Sequence, residues 1–145
     1  MTVPIIVVGV DGSDGGDRAL TAAAEFAAAS HYGVVVVHVA HVPAVVATTS
    51  VGAAEFAVAA DELADYCHLA CELTFAGTAV AWSFKLRHGD PATELLRADA
   101  DHDAAWIAVG RHGHRRLARL ALGSVTDRLV RHANRPILIV PPAWS

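Results

Sequence analysis

Several stretches of this chain are apolar almost without interruption, and between them lie segments whose apolar residues recur at helical spacing. The first, Ile5-Ile6-Val7-Val8-Gly9-Val10, is mostly β-branched and ends in the turn cluster Asp11-Gly12-Ser13-Asp14-Gly15-Gly16. Such a run predicts a strand buried on both faces, the situation of a parallel sheet. Ser13 or Asp14 can cap the helix that follows, in which Leu20, Ala23, Ala24, Ala27 and Ala28 recur until Tyr32-Gly33 stops it. Val34 to Val39 reads as a second strand. Pro43 and the Thr48-Thr49-Ser50 stretch make a loop before a long helix from about Ala53 to Phe75. Ala79 to Arg87 reads as strand three. In His88-Gly89-Asp90-Pro91, Asp90 is placed to cap and Pro91 to open a short helix to about Ala100. Ala105 to Val109 is strand four, Ser124 opens a helix to about Ala133, and Pro136 to Val140 is strand five.

Strands alternating with helices over the whole length argue for an α/β fold, doubly wound, with helices on both faces of a parallel sheet. A chain of 145 residues builds one sizeable core, so residues 1–145 are read as a single domain. Right-handed crossovers place a ligand crevice outside the carboxyl ends of the strands, where the winding reverses. With strand one central, candidate residues lie just after strands one and four, at Asp11 and in the loop that begins at Gly110.

Composition narrows the function classes. Hydrophobic residues make up 54% and mean hydropathy is +0.39, yet the most apolar stretch, Val34 to Ala47, is broken by His38, His41 and Pro43. That falls short of the ~20 apolar residues that cross a bilayer. The opening Met1-Thr2-Val3-Pro4 lacks a basic leader, so no membrane partner and a cytoplasmic location are expected. The net charge of −4 is unevenly spread. Residues 1–110 carry 14 acids against Arg18, Lys85, Arg87 and Arg97, a balance of −10; residues 111–135 carry seven arginines against Asp127, a balance of +6. A local basic region on an acidic body suits a small anion or a docking patch better than a nucleic acid. Cys67 and Cys71 stand four apart in a helical pattern and are expected to be reduced core residues.

The segment with the most chemical content runs Gly110-Arg111-His112-Gly113-His114-Arg115-Arg116, and on to Gly123-Ser124. Glycines permit positive φ and close backbone approach, so main-chain N–H groups can face phosphate oxygens. Gly123 and Ser124 stand at a helix start, where unpartnered N–H groups and the helix dipole favour an anion. Ser124-Val125-Thr126-Asp127 also fits the spacing of a capping box, a purely structural reading. Asp11 is either the opening of an Asp-Gly-Ser turn or a polar anchor for a sugar and base. Among the arginines Arg111 is the best candidate for a terminal phosphate, whereas Asp127 and Arg131 form an ordinary i,i+4 pair. Nine histidines show no metalloprotease spacing; His38 and His41 flank the end of strand two, and His112 and His114 lie in the glycine loop.

No Gly-x4-Gly-Lys-Ser/Thr motif occurs, and Lys85, the only lysine, has no phosphate loop around it, which argues against a conventional nucleotide hydrolase. A phosphoacceptor domain wants adjacent carboxylates after strand one and a lysine after strand five. Here Asp11 stands alone and strand five ends in Pro141-Pro142.

The pattern Gly110-x2-Gly113-x9-Gly123-Ser124 and the opening Val8-Gly9-Val10-Asp11-Gly12-Ser13 resemble the universal stress protein family. Gly89-Asp90-Pro91 and Arg135-Pro136-Ile137-Leu138-Ile139-Val140 extend the resemblance over about residues 3–141. It implies the strand order 3-2-1-4-5 and the ATP-binding branch of the family, in which ATP is sensed rather than turned over rapidly. Gly9, Val10, Asp11 and the backbone near Val39 would face adenine and ribose. Gly110, Gly113, Gly123, Ser124 and Val125 would hold ribose and phosphates, with Mg2+ accompanying the phosphates; Arg111-His112 and the arginine-rich 115–119 segment depart from the family pattern in being unusually basic. The resemblance also implies a homodimer through the last strand, Pro136 to Val140, and a role in stress response or regulation.

Overall fold

The computed structural model describes residues 2–41, 52–113 and 122–144. Pro43 and most of the predicted 41–52 loop, together with His114, Arg115, Arg116 and Arg119, lie outside the described residues.

The strands are β1 (Ile5–Val10), β2 (Gly33–Ala40), β3 (Trp82–His88), β4 (Trp106–Gly110) and β5 (Ile137–Val140). Between them run the helices α1 (Asp14–Ser30), α2 (Ala53–Phe75), α3 (Pro91–His102) and α4 (Ser124–His132). All strand pairs are parallel and the order is β3-β2-β1-β4-β5, as the resemblance implies. β1 is central, and the winding reverses between it and β4.

Alternation along the strands divides the core into two layers. Ile6, Val8, Val10, Val34 and Val36 pack against Leu20, Ala23 and Ala27 of α1 and Cys67, Cys71 and Phe75 of α2. Val7, Val35, Val37, Ile107 and Val109 pack against Leu95 and Ala98 of α3 and Leu129 of α4. The small alanines of α1 let that helix lie close to the sheet. Cys67 and Cys71 are buried free thiols, and burial pushes both up to about 12, so they act as packing residues and not as nucleophiles.

The starts of α1 and α3 follow the sequence signals. Ser13 caps α1, its side chain accepting from the Gly16 N–H, and Asp90 caps α3, accepting from the Thr93 N–H with Pro91 in the first turn. Helix ends were less legible, because α1 and α3 stop on left-handed His31 (φ 61°) and Asp103 (φ 46°) instead of glycine. Strand β3 begins at Trp82 rather than Ala79. Gly77 takes φ +74° and Thr78 bonds back to the Phe75 carbonyl, so the residues between serve the turn. At α4 the capping-box reading does not hold. Gly123 is the N-cap, no side chain caps the helix, and Ser124 is already its first residue.

Candidate functional site

The carboxyl ends of β1, β2 and β4 meet the amino ends of α3 and α4 around a cavity of about 490 Å³. Volumes of this order are those of small-molecule sites. Its floor is apolar: Val37, Val39 and Val109 on the strands and Leu95 on α3. Gly9 lies among them, and a Cβ there would come within 2.9 Å of Leu95 and 3.3 Å of Val109, so the missing side chain leaves room beside the floor. The rim is polar, made by Asp11, Gly110, His112, Gly113, Gly123, Ser124 and Thr126.

Several contacts hold the rim in place. His38 Nδ1 lies 3.0 Å from the Val10 carbonyl in the buried space between the ends of β1 and β2. His41 Nδ1 lies 3.1 Å from the Gly89 carbonyl, tying the β2 exit to the turn before α3. The Thr126 hydroxyl donates to the Gly110 carbonyl at 2.8 Å and fixes the first turn of α4 on the end of β4. Gly123 donates its N–H to the Arg111 carbonyl at 2.8 Å, closing the loop that leaves and returns to this edge.

Asp11 is set by its own turn. Its Oδ1 accepts from the Ser13 N–H at 3.0 Å and from the Ser13 hydroxyl. Ser13 therefore orients the carboxylate and caps α1 at once. The two loops also interlock. A Cβ on Gly110 would meet backbone atoms of Gly15 at 2.7 Å, one on Gly15 would run into the His112 carbonyl, and one on Gly113 would run into Oδ2 of Asp11. The glycines at 110, 113 and 123 do not use positive φ. The need at 110 and 113 comes from close packing of the β1–α1 turn against the β4 loop, and at 123 from the backbone of Arg111, His112 and Gly113 at 3.2–3.5 Å, which corrects the expectation that left-handed backbone would be needed there.

The amino end of α4 points its first turn at this rim. Asp127 donates to the Gly123 carbonyl, whereas Ser124, Val125 and Thr126 have no acceptor within the helix and, among the described residues, no side chain that caps them. Next to Pro91 of the cavity lining, Asp90 is paired with Arg128 at 2.6 Å and bonded to Thr93. The Thr93 hydroxyl and backbone N–H, helped by Arg128, hold the Asp90 carboxyl down at about 2. It is the cap of α3. Among the described residues no cluster of three or more His, Cys, Asp or Glu side chains has the spacing to hold a metal ion.

A model of the universal stress protein family matches residues 3–141. The chain belongs to the universal stress protein family. Universal stress protein Rv1996 of Mycobacterium tuberculosis is 29% identical over an alignment covering 94% of this chain and 47% of the relative, so the chain spans about half the length of that protein. Among solved family folds, MJ0577 of Methanocaldococcus jannaschii superposes with a TM-score of 0.83 at 21% identity, covering 97% of both chains. The universal stress protein from Archaeoglobus fulgidus in complex with dAMP superposes with a TM-score of 0.64 at 25% identity, covering 95% of this chain and 97% of that one.

Of the residues singled out from sequence, Gly9, Val10, Asp11, Val39, Gly110, Gly113, Gly123, Ser124 and Val125 all line this one universal stress protein cavity. Arg111 does not. It lines a second cavity on the other side of the Arg111–Gly113 loop. Val37, Leu95, Val109, His112 and Thr126 line the first cavity and were not singled out as its walls. Alternation could have found Val37 and Val109, which share a sheet face with Gly9 and Val39. Leu95 and Thr126 come from α3 and α4, whose approach to that face no local pattern encodes. Among the described residues no helix is long and apolar enough to cross a membrane.

Proposed function

We propose that this chain is a nucleotide-binding regulatory module of the stress response, with ATP as its ligand in the 490 Å³ cavity. The observation that carries the reading is the uncapped amino end of α4, which opens onto a cavity whose opposite wall is apolar. A base is a flat apolar body with polar edges, and phosphates are anions; this cavity offers one wall for each. Adenine lies against Val37, Val39 and Leu95, with Asp11 accepting from the ribose or base edge. The phosphates lie at the N–H groups of Ser124 and Val125, beside Gly110, Gly113 and Gly123, where the helix dipole favours negative charge. The dAMP held by the Archaeoglobus relative supports an adenine nucleotide as the ligand class.

The donor set suits a magnesium ion only as a companion of the phosphates, since hard divalent cations take oxygen ligands and the Asp11 carboxylate is already engaged by Ser13. Bound Mg2+ would supply charge neutralisation. The rim carries no lysine, so rapid phosphoryl transfer has no evident cation of that kind, and binding coupled to regulation is the favoured role. The exposed edge strand β5 is the proposed seam with a second copy of the chain.

The test is to denature the protein as purified, without added nucleotide, and identify the released small molecule by mass spectrometry. Calorimetry with ATP and magnesium then follows on the emptied protein. Released ATP, or saturable ATP binding, is expected. An empty protein that also gives no heat with ATP would overturn the reading.

A further inference from the structure

Seven arginines are described, and five of them are paired with acids. Arg87 meets Asp101 and Glu94, Arg97 meets Glu94, Arg128 meets Asp90, Arg131 meets Asp127, and Arg135 meets Asp99 and Asp103. Arg18 and Arg111 have no acid within ion-pair distance among the described residues. Both are partly buried, and both line the same cavity of about 560 Å³.

This cavity is separate from the one above. Its walls are the β1–α1 turn and the start of α1 (Gly12 to Gly15), Arg18 one turn into α1, Arg111, Val140 at the end of β5 and Pro142 beyond it. Val140 and α1 pack on the α1–α2 side of the sheet, whereas Leu95, α3 and α4 flank the first cavity on the other side. Of the described residues, His112 and Gly113 alone line both, so this stretch of the glycine loop is the partition between them. Asp14 is the one acid among the described lining residues. Within α1, Gly16 N–H is taken by the Ser13 hydroxyl and Asp17 N–H by the Ser13 carbonyl, which leaves the Asp14 and Gly15 N–H groups without an acceptor in the helix.

We propose that this second cavity is an oxyanion site of phosphate type, held by Arg18 and Arg111 across the first turn of α1. Partly burying two guanidinium groups without counter-charge is unfavourable, and a tetrahedral dianion offers both of them oxygen acceptors at one point. Guanidinium suits that partner through its fixed fork of donors. The phosphate comes either as a free anion or as the end of a polyphosphate tail that passes the partition from the neighbouring cavity.

The experiment titrates inorganic phosphate calorimetrically, at low ionic strength, into the wild-type protein and into Arg18→Gln, Arg111→Gln and, as a control for net charge alone, Arg97→Gln. Saturable binding is expected in the wild type. Each cavity variant should weaken it by about tenfold or more, the loss of a charge-assisted hydrogen bond, with Arg97→Gln unchanged. The same proteins are titrated with AMP and ATP, and phosphate is titrated again in the presence of each. Phosphate that binds beside ATP identifies a separate anion. Phosphate excluded by ATP but not AMP, with ATP alone weakened in the two cavity variants, identifies the nucleotide tail. Absence of saturable phosphate binding together with unchanged ATP affinity in both variants would overturn the proposal, as would an equal loss in Arg97→Gln. If no nucleotide binds at all, the phosphate titration decides the matter without it, so this inference and the nucleotide reading fail separately.

Discussion

Gly113 and Asp11 face each other across the mouth of the first cavity, so closely that a Cβ on Gly113 would collide with Oδ2 of the Asp11 carboxylate. The colliding atom is the end of a side chain, which can swing aside. The move gives up the bonds that Ser13 makes to Oδ1, so Gly113→Ala is expected to cost the fold no more than about 1 kcal/mol. Swinging Asp11 away removes the proposed anchor for ribose or base, so nucleotide affinity should fall by about tenfold or more. Parallel melting curves and calorimetry check the two halves; unchanged affinity would remove Asp11 from the site.

Gly110→Ala is expected to behave differently. Its Cβ would meet carbon and oxygen atoms of the Gly15 backbone at 2.7 Å, and backbone inside a packed loop pair cannot move aside cheaply. Overpacking of this kind costs ~1–3 kcal/mol, a drop of roughly 3–9 °C in melting temperature. A variant that melts like wild type would show that the two loops are less tightly interlocked than the packing indicates.

Asp90 links stability to acid. Its carboxyl is lowered in the folded protein from 3.8 to about 2, chiefly by Thr93 and then by Arg128. A lowered carboxyl stabilises the fold above its unfolded pKa, and that contribution is lost as pH falls from 3.8 toward 2. Asp90→Ala should cost ~1 kcal/mol at neutral pH, the usual worth of an N-cap. The side chain is 44% exposed, so solvent screening limits the share owed to Arg128. Urea unfolding across acid pH tests this: the gap between wild type and variant should close toward pH 2. A gap that stays constant would trace the effect to something other than the charged cap.

β5 is an edge strand of four residues, and Leu138 in its middle is 39% exposed. If β5 pairs with its counterpart in a second copy, Leu138→Asp places a charge in that seam and should convert the dimer to monomer at micromolar concentration. Light scattering during size exclusion reads the result directly. A wild-type dimer that survives the substitution would locate the interface elsewhere.

Most of the architecture was legible in local pattern. A β-branched run such as Ile5 to Val10 reads as a strand buried on both faces because its apolar residues do not alternate with polar ones, and Ser13, Asp90 and Pro91 marked helix starts through groups that act within three residues of themselves. The exits were less legible, since His31 and Asp103 end helices in left-handed backbone that their identities do not announce. The glycine spacing from Gly110 to Gly123 was also plain in the chain, but its reason was not. Whether a glycine is required by positive φ or by a neighbour's backbone depends on which loop packs against it, and Gly15 lies almost a hundred positions from Gly110 in the chain. The same holds for Arg111. Its place in the sequence puts it in the glycine loop, yet only the fold turns it to the α1 side of the sheet, beside Arg18 and away from the cavity that its glycine neighbours line. Local pattern determines elements, because their hydrogen bonds and caps are short-range; tertiary packing decides which side of the sheet a charge serves, because that depends on contacts between segments far apart in the chain.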